Sequence, residues 1–255
     1  MLTFDEAQLM AWVSPILWPF LRVLAMFTAA PIFSSRAIPL RLKVALAFLV
    51  AVCAQAVLAP QPVVALNSAA AWGAVAQQVG VGLAIGFAVR LVFTCVELSA
   101  EVIGLQMGLN YASFFDPASN SQRGALTGFY SNVALWLFIV VNGHLMVLMA
   151  VLQSFKSFPL DGNVLQSFTQ MRLHELGAGL FSSALWLALP LIALLLFVNL
   201  TMGVISRVAP QTNIYAVGFP VTITVGLLGI TATLPMLEQP LYTLLQQTID
   251  LFGPA

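Results

Sequence analysis

Arg22, Arg90, Glu97 and Glu101 are the side chains best placed by type and spacing to do chemistry, because each sits in or at the end of a long apolar stretch. A charge facing hydrocarbon at a helix centre costs about 2.5–3.5 kcal/mol on the translocon scale, so these groups must face protein, water or each other. On a helix, Arg90 and Glu97 fall about two turns apart on one side, and Glu97 and Glu101 stack as like charges at i and i+4. One reading is a proton or ion relay. The other is that each group meets a protein neighbour or water at a helix mouth. Other chemistry is poorly supplied. His144 and His174 are the only histidines and lack metal-ligand spacing, so no metal or cofactor is expected. GVGLAIG at 80–86 has the wrong spacing for a dinucleotide loop, and no serine stands in a GxSxG elbow. Cys53 and Cys95 each lie in an apolar run and read as small buried hydrophobes. The chain is not expected to be an enzyme.

The elements that must position these residues are set by composition. Of 255 residues 60% are hydrophobic and 7% charged, with mean hydropathy +0.98, against about 25% charged in an ordinary soluble domain. Eighteen charges cannot form a solvated skin on a globule of this size, so the sequence predicts an all-α integral membrane protein. Nine Lys and Arg balance nine Asp and Glu with no basic stripe, which argues against a nucleic-acid partner. Asp5 and Glu6 occupy the place of a basic n-region, so no cleavable signal peptide is expected.

About six hydrophobic helical segments are expected, roughly at 8–33, 44–59, 72–96, 125–152, 177–206 and 213–236, with the second short enough to be half of a hairpin. Prolines punctuate the intervals at Pro31, Pro39, Pro60, Pro62, Pro117, Pro159, Pro210, Pro235 and Pro240. Pro15 and Pro19 predict a kinked first helix that carries Arg22 at depth. No linker divides the chain, which reads as one polytopic domain over 1–255. Five basic residues (Arg36, Arg41, Lys43, Arg123, Arg207) against two (Lys156, Arg172) in alternate loops predict both termini on the side away from the cytoplasm. Gly82 with Gly86, Gly104 with Gly108, and Gly124 with Gly128 form GxxxG pairs, which let helix backbones approach closely.

The most informative irregular stretch is LNYASFFDPASNSQRG at 109–124, with three rings (Tyr111, Phe114, Phe115) clustered before an Asp116-Pro117 turn. Either the rings anchor at the membrane interface, or the segment folds into a pore and obstructs it. Met107, Met146 and Met149 flank it and suit either a deformable seal or simple gap filling.

Several strings resemble the FliR family. They are PIFSSRAIPLR at 31–41, AEVIGLQMG at 100–108 followed by Asp116-Pro117, FYSNVALWLFIVVNGHLMVLMAVLQSF at 129–155, and RVAPQTNIYAVGFP at 207–220. They run in the family's order over nearly the whole chain. Ser34-Ser35-Arg36 departs from the Gly-Glu pair of many relatives, which removes any acidic role there. The resemblance implies a non-enzymatic flagellar biosynthetic protein, a subunit of the type III secretion export gate in the inner membrane at the flagellar basal body. Its implied partners are smaller membrane subunits of the gate, a switch-type membrane gate protein and unfolded flagellar export substrates. It further implies bent helical hairpins packed in a hetero-oligomeric assembly: N-terminal hairpins at 1–109, a gate or plug loop at 110–122 and C-terminal helices at 123–255. By resemblance the plug role falls on Asn110, Tyr111, Phe114, Phe115, Asp116, Pro117 and Gln122, and a late hinge on Arg207, Pro210, Gln211, Asn213, Gly218 and Pro220. The alternatives are the equivalent subunit of a virulence injectisome and a secondary transporter coupling protons through Arg90, Glu97 and Glu101.

Overall fold

The computed structural model describes residues 6–35, 38–58, 64, 69–109, 124–160, 167, 169, 171, 173–210 and 214–253. Among these every regular element is helical: α1 (Glu6–Ala29), α2 (Leu40–Ala54), α3 (Ala69–Gln106), α4 (Ala125–Val140), α5 (Gly143–Ser157), α6 (Leu173–Val208), α7 (Ile214–Thr233), a short 3-10 turn (Leu234–Leu237) and α8 (Glu238–Asp250). Four helices are long and apolar enough to cross a membrane, or five if α4 and α5 count as one broken span. This is the all-α membrane protein the composition demands.

Fewer spans than six follow from two local causes. At 1.5 Å per residue the 15 residues of α2 cover about 22 Å, short of a hydrocarbon core of about 30 Å. The run at 125–152 breaks at Asn142, whose φ of 57° is left-handed and ends one helix before the next begins. By contrast, the 38 residues of α3 reach about 57 Å, so α3 is far longer than a perpendicular span requires.

The chain divides into two compact units. The first holds Met1–Val92, Asn142–Gly177 and Leu244–Ala255; the second holds Phe93–Val141 and Ala178–Thr243. In the first, α1 packs on α2 and on α5. The α2 contact is a stripe of small residues, Ala47, Ala51 and Ala54, all buried. Leu49 and Val52 lie on the outer side. Cys53 is also exposed there, which corrects its expected burial: only the alanine face of α2 is covered. In the second unit, Phe93 packs against Phe138 with ring centroids 5.4 Å apart, and Cys95 is buried.

Candidate functional site

Arg22 is fully buried in the first unit, and the sequence around it explains how α1 can carry it. A guanidinium needs a planar array of acceptors, and three elements supply one. Nε donates to Gln78 Oε1 on α3 at 2.8 Å, and one terminal nitrogen donates to Ser154 Oγ on α5 at 2.8 Å. The other terminal nitrogen donates to the Phe158 carbonyl at 2.9 Å, just past the end of α5. The Phe155 ring closes one face, 3.6 Å from Cζ to the centroid. All four partners are neutral. The cation is therefore held by dipoles and a π face, which share its charge without adding a second ion that would itself need desolvation.

Neighbouring side chains extend this polar seam. Gln77, one residue before Gln78, donates through Nε2 to the Pro159 carbonyl at 3.0 Å and to Ser167 Oγ at 2.9 Å. One turn before Arg22, Trp18 Nε1 donates to Ser14 Oγ at 2.7 Å while its ring packs with Ala74 and Leu160. One turn after Gln78, Gly82 lets the α1 backbone approach: a Cβ there would collide with the Arg22 carbonyl oxygen and lie 2.9 Å from Ala25 Cβ. A Cβ at Gly86 would lie 2.6 Å from Ala29 Cβ and 2.8 Å from the Met26 carbonyl oxygen. The first GxxxG pair thus works as expected. Among the described residues nothing comes within 4 Å of a Cβ placed at Gly128, so no such approach is seen there.

The remaining charges fall elsewhere. Arg90 is exposed on the part of α3 that belongs to the first unit, whereas Glu97 and Glu101 belong to the second. Glu97 is half-buried and its Oε1 accepts a hydrogen bond from Ser131 Oγ at 2.8 Å; Glu101 is exposed. Both carboxylates line an open cavity of about 310 Å³ with Thr94, Thr127 and the apolar Leu180 and Phe181. Of the residues expected to form a late hinge, Arg207 is exposed in the last turn of α6 and Pro210 lies just beyond it. Gly218 and Pro220 lie within α7, where Thr224 Oγ1 donates to the Pro220 carbonyl at 2.8 Å. Gln211 and Asn213 lie outside the described residues, as does all of Asn110, Tyr111, Phe114, Phe115, Asp116, Pro117 and Gln122.

The described residue closest to that loop on its N-terminal side is Leu109, and the exit from α3 is well defined. Gly108 has φ 81°, its N–H donates to the Leu105 carbonyl at 3.1 Å, and the Leu109 N–H reaches the Gly104 carbonyl at 3.0 Å. These are the two bonds of a Schellman cap, with glycine at the left-handed position. Met107 before it is fully buried.

The description "bacterial export proteins, family 1" fits this chain over residues 13–248, where its family model matches. The chain belongs to that family. Several relatives carry the FliR name. The chain is 39% identical over 237 residues to the flagellar biosynthetic protein FliR of Escherichia coli K12, covering 93% of this chain and 90% of that one. It is 36% identical over 253 residues to FliR of Pectobacterium carotovorum, covering 99% and 97%. Even the FliR of Bacillus subtilis matches at 27% over 213 residues, 81% of each chain. The resemblance carried by the four strings therefore holds over the chain as a whole. No motif in the sequence marks Gln78, Ser154, Phe155 or the Phe158 carbonyl as partners of Arg22. The signal the sequence does carry is the adjacent pair Gln77 and Gln78 inside an apolar helix, since buried amides demand polar partners.

Proposed function

We propose that this chain is the FliR-type subunit of a flagellar type III export gate, a non-enzymatic component that helps line and close the channel for unfolded flagellar subunits. The reading rests on one observation: the family model matches residues 13–248. The subunit sits in the inner membrane at the flagellar basal body. It assembles as one copy with several copies of two smaller membrane subunits and contacts a switch-type gate protein. The driving energy comes from other components, since the sequence offers no phosphate-binding loop. Its own work is packing, with close helix contacts building a tight conduit. Residues 110–122 close that conduit at rest, and the 207–220 stretch bends during assembly or opening.

Native mass spectrometry of the tagged chain, co-expressed with its membrane partners, tests the assembly. A discrete hetero-oligomer containing one copy is expected; a stable monomer or homodimer overturns the reading. Deletion of 110–122 tests the closure. The deleted gate is expected to assemble and to leak small ions, and a tight barrier in an assembled deletion gate overturns the plug.

A further inference from the structure

The exposed side of α3 changes character in a regular order along the helix. Between residues 72 and 90, all in the first unit, the exposed residues are Trp72, Ala76, Leu83, Phe87 and Arg90, and the others are covered or partly covered. At 3.6 residues per turn these five share one face, with Trp72 and Arg90 five full turns and about 27 Å apart. Everything on that face between the indole and the guanidinium is apolar. Past Arg90 the same face turns polar, at Thr94, Glu97 and Glu101. α1 repeats the pattern beside it. Gly82 meets Arg22 and Ala25, and Gly86 meets Met26 and Ala29, so the two helices run in the same direction. The Arg22–Gln78 bond joins residues 56 apart, which brings Trp12 within about one turn of the level of Trp72. Both indoles are open: Trp12 is 71% exposed and Trp72 79%.

We infer that this face is where the first unit meets the lipid bilayer, with Trp12 and Trp72 at one headgroup level and Arg90 at the other. The spacing of about 27 Å approaches the thickness of a hydrocarbon core. Indoles collect at the interface because an apolar ring carries a polar N–H. An arginine at the far end lays its stem along the apolar slab and turns its guanidinium to the headgroup phosphates. The order of residues distinguishes lipid from other partners. A protein contact gathers its aromatic anchors near the centre, and a water-lined wall carries polar groups where Leu83 and Phe87 stand. The same placement accounts for Arg22. It lies ten residues past Trp12, about 15 Å in, and so at mid-membrane. A cation there has no water, and a closed set of protein acceptors is its alternative to hydrocarbon.

The test uses the full chain assembled with its membrane partners, in nanodiscs of phosphatidylethanolamine and phosphatidylglycerol. Cys53→Ala and Cys95→Ala remove the native thiols, and the partner subunits are freed of reactive cysteine. A nitroxide is then attached through Trp12→Cys, Trp72→Cys, Leu83→Cys, Phe87→Cys or Arg90→Cys. Its collisions with oxygen, which concentrates among acyl chains, are compared with those with a polar nickel chelate, which stays in water. The oxygen-to-nickel ratio is expected to be severalfold higher at Leu83 than at Trp72 or Arg90, with Trp12 matching Trp72. Few collisions with either reagent at Leu83 and Phe87 mean that a neighbouring subunit covers the face, and overturn the inference. Nickel collisions as frequent at Leu83 as at Arg90 mean water there, and overturn it equally. A ratio as high at Trp72 and Arg90 as at Leu83 removes the two headgroup levels. If labelling at Trp72 or Arg90 prevents assembly, Leu83→Cys and Phe87→Cys are read against Glu101→Cys, where the ratio must fall severalfold. The profile reads depth and not export, so it stands or falls separately from the gate reading.

Discussion

Replacing Arg22 separates two accounts of why a cation is buried in α1. Alanine strands the Phe158 carbonyl and Gln78 Oε1, each worth about 1–3 kcal/mol when buried without a partner. Ser154 loses less, because its hydroxyl still donates to the Val151 carbonyl. The vacated side-chain volume adds about 2–5 kcal/mol, as for other large-to-alanine changes in a core. Removing a fully buried cation returns several kcal/mol of desolvation. The net is a loss of about 3 kcal/mol, which in a chain of this size lowers the melting temperature by about 6–12 °C. Lysine and methionine then give opposite tests. Lysine retains a charge to desolvate but is a point donor that cannot reproduce the fork to Gln78, Ser154 and Phe158. Methionine fills much of the volume and brings no charge. With neutral partners only, Arg22→Met is expected to melt above Arg22→Lys, and Arg22→Ala lowest or level with lysine. The assay is thermal unfolding of the detergent-solubilised gate followed by size exclusion. A lysine variant close to wild type beside a collapsed methionine variant would refute the reasoning, because charge itself would then be the requirement.

Two further substitutions probe local geometry. Gly82→Ala places a methyl group against the Arg22 carbonyl oxygen, so α1 and α3 must separate, at a cost of about 1–3 kcal/mol for overpacking; Gly128→Ala, facing open space, is expected to be neutral or stabilising by up to about 1 kcal/mol. Equal yields of assembled gate from these two variants would contradict the assigned contact. Asn142 holds φ 57° between α4 and α5, so Asn142→Val is expected to lose about 1–3 kcal/mol while Asn142→Gly is tolerated, both read as melting temperature. A valine variant as stable as glycine would show that the break does not depend on that conformation.

What the sequence made legible was whatever is encoded by neighbours in the chain. Hydropathy alone predicts an all-helical membrane protein, and the spacing of Gly82 and Gly86 predicts a close helix contact, because both depend only on residues within a turn or two. The same logic fails for Gly128. Its spacing from Gly124 is identical, yet no atom of the described residues comes within 4 Å of a Cβ placed there. A GxxxG pair states that approach is sterically allowed and says nothing of whether another helix is present. The split of the fourth apolar run was likewise invisible to hydropathy, since Asn142 is a single polar residue whose backbone conformation, rather than its polarity, ends the helix.

Arg22 shows why site residues are harder to read than spans. Its charge marks the position as one that must be compensated, but Gln78, Ser154 and Phe158 are 56, 132 and 136 residues away, and none is acidic. A search for a carboxylate partner therefore looks in the wrong place. A neutral cage has a consequence for an apolar conduit. The three acceptors and the ring come from α3, from α5 and from the residue just after α5, so all four contacts are made at once only when these segments and α1 keep one mutual register. Such a cluster favours one packing of the three helices over sliding ones. That rigidity in the first unit complements the lightly covered α6, of whose apolar window only 17% is buried against 67% for α3. Phe181, Trp186 and Phe197 on α6 stay about 70% exposed and are the surfaces left for hydrocarbon or for neighbouring subunits. The polar bonds thus lie where the chain must hold its own shape, and the open apolar faces lie where an assembly would be completed.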